Sequence, residues 1–227
     1  MKGFTKPALI AAVIAGISCV VFFAPSLKAQ DNVTTVVDAK IATIEITELT
    51  AEEAKGILFM REEEKLARDV YRAIYDKWGI RIFSSITASE QTHMDALEKI
   101  IKRYGLKDPV SDDVPGVFKN DMLADLYTEL IDKAGKSLND ALIVGAQIEE
   151  LDIADLKKWI EATDNDDVRI LYQNLMKGSR NHLRSFNRQV ERAGVKYTPA
   201  YLNADLFNRI VTSPRERGAI LDPDYTF

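Results

Sequence analysis

Ser89-Glu90-Gln91-Thr92-His93-Met94 lies inside a run, residues 87–104, along which Leu97, Ile100 and Tyr104 recur at helical spacing in line with Ile86 just before it. Glu90 and His93 fall on that apolar face, one turn apart and pointing the same way. Burying an unpaired carboxylate is costly, so an acid and an imidazole on an inward stripe require a cation or a basic partner. Gly105 ends the run, and Asp108-Pro109 marks the break beyond it.

Three further stretches repeat the pattern. Upstream, Thr50-Ala51-Glu52-Glu53 is a capping box that opens a long helix, stopped near Trp78 by Gly79. Ile57, Met60, Ala67, Tyr71 and Ile74 share one face of it, and Glu64 interrupts that face. The period places Glu62 and Glu63 on the solvated side. Downstream, a turn-rich stretch (Ser111 to Gly116) and a short amphipathic segment (122–134) precede Ser137 and Asp140, which cap a third long helix ending near Ala162. Its stripe of Leu142, Gly145, Ile153, Leu156 and Ile160 takes in Glu149, with Asp152 three residues on. A register error of one would put Glu150 there instead. Asp164-Asn165-Asp166-Asp167 opens a fourth helix that runs to Ala193 and stops at Gly194. Leu171, Leu175, Phe186 and Val190 align with His182, and Ser179 sits one turn earlier. One short helix is expected over 204–211, between Pro199 and Pro214.

Apolar and polar residues alternate only over 40–46, so sheet is minor or absent and the fold class is all-α. The connections between the long helices run short, long, short. That order predicts two antiparallel hairpins joined by a crossover between helices two and three, with short extra helices. Tyr71 and Tyr104 read as core side chains. The two histidines, His93 and His182, both lie mid-helix on apolar stripes. Carboxylates with imidazole suit iron, manganese or zinc rather than a soft metal.

The chain has 227 residues, 46% hydrophobic and 29% charged, with a net charge of −5. This is globular composition and excludes a disordered, collagen-like or multi-span membrane protein. Three of the basic residues, Lys2, Lys6 and Lys28, stand in the N-terminal segment, so the body is more acidic still and repels phosphate backbones. Nucleic acid is therefore not an expected partner. Lys2 and Lys6 precede an uncharged apolar run over 8–24, which reads as an export signal ending at Ala29 or as a retained membrane anchor. Either outcome puts the body in the periplasm or outside the cell. Cys19, the single cysteine, lies in that run, so a processed chain has no thiol for disulfides or metal. The expected organisation is 1–29 signal or anchor, 30–48 linker or short docking strand, 49–212 helical domain and 213–227 tail. The sequence contains no nucleophile elbow, phosphate loop or zinc-protease helix.

These residues resemble the ferritin and rubrerythrin superfamily, whose bundle carries Glu on the first helix, Glu-x-x-His on the second, Glu on the third and Glu-x-x-His on the fourth. Arg61 to Tyr71, Ser89 to Met94 and Gly178-Ser179-Arg180-Asn181-His182-Leu183-Arg184 are similar, more closely, to an uncharacterised ferritin-like family of bacteria and archaea. The resemblance covers roughly residues 49–206. It implies a ferritin-like four-helix domain binding one or two iron or manganese ions, with zinc also accommodated. The implied ligands are Glu64, Glu90, His93, Glu149 and His182, surrounded by Tyr71 and Ser179. It further implies an oxidase, peroxidase or metal-handling role with dioxygen or peroxide as partner, that is, a non-haem oxidoreductase with no catalytic residue assigned. The departure is Ser179, which stands where the superfamily has its last glutamate. Asp152 is then the candidate sixth ligand; without it a mononuclear or empty site follows. The alternative is a non-catalytic helical binding or scaffold module in which Arg180 pairs with the glutamates. A storage cage is disfavoured by the N-terminal segment and the tail.

Overall fold

The computed structural model describes residues 27–227, which form seven α-helices and, among the described residues, no strand. The apolar segment expected as signal or anchor lies outside them, apart from its last few positions. No described helix is long and apolar enough to cross a membrane. The helices are α1 (Leu27–Ala42), α2 (Ala51–Trp78), α3 (Arg81–Arg103), α4 (Asp121–Ala134), α5 (Leu138–Ala162), α6 (Asp166–Arg192) and α7 (Ala204–Thr212).

Local signals set most of the boundaries. The Thr50 hydroxyl accepts from the Glu53 amide at 3.2 Å, and the Glu53 carboxylate accepts from the Thr50 amide at 2.8 Å, which satisfies free amides at the start of α2. Gly79 takes φ 66, the left-handed conformation that only glycine adopts without strain, and ends the helix. Two residues suffice to turn the chain, so α3 begins at Arg81, six residues before the expected start. Ser137 caps α5 by accepting from the Asp140 amide at 3.0 Å.

Residues 30–42 of the expected 30–48 linker or docking strand are helical instead, and 45–48 connect that helix to α2. Most of this stretch belongs to α1, whose Val37 and Ile41 are buried in an apolar cluster with Leu171 and Leu175 of α6. Val33, Val37 and Ile41 recur every fourth residue, a narrow stripe masked by β-branched Thr34, Thr35 and Val36.

Helix α2 packs along α3 and α5 along α6, while α2 also touches α5 and α3 touches α6, so the four long helices close around a common interior. A polar layer divides that interior. Ile57, Met60, Leu97, Ile100, Leu156, Leu171 and Leu175 belong to one apolar cluster. Tyr71, Phe83, Ile86, Val144, Ile148, Leu183 and Phe186 belong to the other. On every one of the four helices, the metal-competent residues stand between the contributions to the two clusters. Helix α4 covers α2 and α5, and α7 lies on α6.

Candidate metal centre

Within the polar layer, Glu64 comes from α2, Glu90 and His93 from α3, Glu149 and Asp152 from α5, and Ser179 and His182 from α6. All are buried except His182, whose side chain is 12% exposed. His93 Nδ1 lies 2.8 Å from Glu90 Oε2 and 3.1 Å from Glu64 Oε2. His182 Nδ1 lies 3.0 Å from Glu90 Oε1 and 3.4 Å from Glu149 Oε2. Two trios result, Glu64/Glu90/His93 and Glu90/Glu149/His182, each with its ligand atoms within 4.8 Å of one another. Glu90 is common to both and turns one oxygen to each imidazole. The rings stack at 5.6 Å between centroids.

The neighbours orient these groups. Tyr71 Oη donates to Glu149 Oε1 at 2.6 Å, and Ser89 Oγ meets His182 Nε2 at 3.0 Å. Tyr71, Phe83 and Phe186 pack ring against ring beneath the layer, with centroids 5.3 to 6.1 Å apart. Gly178 brings the α6 backbone so near that a Cβ there would sit 2.6 Å from Cε1 and Nε2 of His93. Ser89 and Gly178 stand in the sequence motifs quoted above, but no pattern there assigned either a role at the cluster.

Electrostatically the layer is unsettled. Burial raises the Glu64 and Glu149 carboxyls to about 7, against the pull of His93 and His182 respectively. Burial also opposes ionisation of Glu90, but the two imidazoles outweigh it and hold Glu90 below the usual range. His182 is carried up to about 10: burial disfavours its charge, and Glu90 and Glu149 more than reverse that. Glu64 Oε1, Glu90 Oε1, Asp152 Oδ1 and His182 Nδ1 are buried without a hydrogen-bond partner among the described residues. No Lys or Arg forms an ion pair with Glu63, Glu64, Glu90, Glu149 or Asp152 among the described residues. Buried polar atoms are normally satisfied, so orphaned acceptors that converge in this way fit a divalent cation.

Of the two residues left open on α5, Glu149 faces the cluster, and several other expectations change. Glu150 is buried on the other side of α5, where it accepts from the amides of Ala200, Tyr201 and Leu202, each at 3.0 Å, and from the Tyr197 hydroxyl. Arg180 does not pair with the glutamates. It turns to the tail, where its Nε donates to Glu216 Oε1 at 2.8 Å and its guanidinium lies over the Phe227 ring. Asp152 reaches the layer but is bound by the Ser179 hydroxyl through Oδ2. Glu62 and Glu63 are buried, not solvated, because the crossover and α5 cover that side of α2. Glu62 Oε1 accepts from the amides of Lys119, at 2.5 Å, and Asn120. Tyr104 is a half-buried polar anchor: its hydroxyl donates to Asp167 at 2.8 Å.

Fold and site together define a protein that is helical, without strands, over the described residues and that carries a buried carboxylate–imidazole cluster able to hold a metal ion. The chain belongs to the family described as Uncharacterized protein domain (DUF2202), whose model matches residues 53–214. The uncharacterized protein MJ0754 of Methanocaldococcus jannaschii is 52% identical over 170 residues, which are 75% of this chain and 92% of that protein. The crystal structure of hypothetical protein MJ0754 superposes with a TM-score of 0.75 at 49% identity, covering 77% of this chain and 99% of that one.

Proposed function

We propose that this chain is an exported ferritin-like protein whose four long helices hold one or two iron or manganese ions for an oxidase, peroxidase or metal-handling role. The observation that carries this reading is Glu90. Its two oxygens are divided between two imidazoles, each imidazole is completed by a second buried glutamate, and no lysine or arginine among the described residues pairs with the set. Glu64 and His93 would hold one ion, Glu149 and His182 the other, and Glu90 would be shared. Iron or manganese at such a site supplies redox chemistry toward dioxygen or peroxide, whereas zinc supplies Lewis acidity alone.

The protein's own contribution is positional. With Nε2 of His182 donating to Ser89 Oγ, the Nδ1 lone pair is free to face Glu90 and Glu149. Tyr71 fixes the rotamer of Glu149 and keeps its Oε2 toward His182. The aromatic floor excludes water from one side, and the 12% exposure of the His182 side chain would give small molecules access from the α6 side. Export is supported by the lysines and apolar run of residues 1–24.

Ser179, which removes one carboxylate from the set, favours the second reading of a non-catalytic module that has kept the core. Anaerobic reconstitution of metal-free protein with ferrous iron, followed by metal analysis, separates the two. Between about one and two equivalents are expected, and less than roughly 0.1 equivalent would overturn the metal reading. Replacing His93 or His182 with Ala should abolish the stabilisation by metal; in a scaffold it produces only a packing change.

A further inference from the structure

The outward face of α6 grips a stretch of backbone. Asn181 and Asn174, two helical turns apart, each hold one residue of the C-terminal tail by both of its main-chain groups. Asn181 Nδ2 donates to the Glu216 carbonyl at 3.1 Å, and Asn181 Oδ1 accepts from the Glu216 amide at 3.0 Å. Asn174 does the same to Ile220, at 2.8 and 3.0 Å. Between the two clamps the Lys177 ammonium donates to the Gly218 carbonyl, and beyond them Gln173 Nε2 donates to that of Pro223 at 2.6 Å. From Asn174 to Asn181 the helix rises about 10 Å, and a fully extended chain covers about 13 Å from residue 216 to residue 220. The clamps therefore fit a nearly extended segment running antiparallel to α6.

None of these contacts depends on a side chain of the tail. Selectivity comes from two others. The Glu216 carboxylate lies between two buried guanidiniums, its Oε1 accepting from Arg180 Nε at 2.8 Å and from Arg184 Nη2 at 2.9 Å. Ile220 is the one apolar side chain of residues 213–227 that is buried. Hydrogen bonds exchanged for those of water contribute little net, and a segment with so little apolar burial opens without unfolding the bundle beneath it.

We propose that the outer face of α6 is a docking groove for an extended segment carrying a glutamate and, four residues on, an aliphatic side chain, and that the tail of a second copy of this chain enters it by exchange. The tail of a second copy matches the groove by identity, with Glu216 for the guanidiniums and Ile220 for the apolar seat. Exchange breaks and remakes the same contacts, so it costs little beyond bringing two chains together. The tether keeps each chain's own tail at a high effective concentration, so self-docking prevails in dilute solution and exchange emerges when it is weakened.

The test mixes two full-length chains. Arg180→Glu spoils the groove and keeps the tail; Glu216→Arg spoils the tail and keeps the groove. Each change sets like charges against each other within its own chain. Across the pair, Glu216 of one chain meets Arg180 of the other, and the two introduced side chains also meet as opposites. One chain carries an affinity tag, and the partner retained with it is counted. The unlike pair should retain on the order of tenfold more partner than either like pair, which registers association through any other surface. Limited proteolysis should cut residues 213–227 readily in each chain alone and slowly in the mixture. No excess retention in the unlike pair, or tails cut as fast in the mixture as alone, would overturn the exchange. Circular dichroism checks the fold of each chain. Where Arg180→Glu does not fold, Asn174→Ala with Asn181→Ala spoils the groove without burying a charge, and the same two outcomes decide. Metal takes no part in these readouts, so the result is independent of the metal-binding reading.

Discussion

Gly178→Ala should weaken metal binding without unfolding the protein. Gly178 lies inside α6 in ordinary helical conformation, where alanine is normally favoured by about 1 kcal/mol. A Cβ there would stand 2.6 Å from two atoms of the His93 ring, whereas comfortable contact is about 3.5 Å, so the ring must retreat by roughly 1 Å. The same ring carries Nδ1 at 2.8 Å from Glu90 and 3.1 Å from Glu64, and the retreat lengthens or misaligns both contacts. Overpacking of this kind costs about 1–3 kcal/mol, which the gain in helix propensity partly offsets, so metal-free stability should fall by no more than about 2 kcal/mol. Affinity at the Glu64/Glu90/His93 half should drop on the order of 10- to 100-fold, as when a ligand's support is removed. Titration of Mn²⁺ followed by EPR reads the affinity, and thermal unfolding with and without metal reads the stability. An unchanged affinity together with a raised melting temperature, the outcome for glycine at an open helical site, would refute the packing argument.

Glu90→Ala should reduce metal uptake more than either Glu64→Ala or Glu149→Ala, because each of the latter leaves one trio with its imidazole intact; metal analysis after reconstitution checks the order. Glu53 is held down to about 2: burial would raise it, but hydrogen bonds from Thr163, Thr50 and Asn165 prevail. A depressed carboxyl stabilises the fold above its ordinary pKa of 4.5, and that stabilisation is lost as pH falls toward 2. Glu53→Gln should therefore be less stable than wild type at neutral pH by up to about 3 kcal/mol, with the gap closing over that acidic window in urea unfolding. Glu150→Ala leaves the Tyr197 hydroxyl and three backbone amides without their acceptor, so residues 197–202 should become susceptible to limited proteolysis and stability should fall by about 3 kcal/mol.

Short-range chemistry was readable along the chain. The Thr50–Glu53 box, Gly79, the Ser137–Asp140 cap and Gly194 each act within a few residues, and the helices begin and end beside them. The same holds for the residue types on the inward stripes, because a period of 3.6 brings Glu90, His93, Glu149 and His182 to faces already defined by their apolar neighbours. The period cannot say what covers the remaining faces. Glu62 and Glu63 looked solvated because their covers, the crossover and α5, lie far away in sequence. Choosing Glu149 over Glu150 required the rotation of α5 about its own axis, which its packing against α2 and α6 sets. Arg180 met Glu216 only because the tail folds back along α6. From the amino-acid order alone, then, come the helices and the kinds of ligand they carry, since both depend on neighbours a turn away. Tertiary packing alone decided that Glu90 serves two imidazoles, that Gly178 makes room for His93, and that Glu63 is sealed inside, since each is a contact between helices whose distance apart no local period encodes.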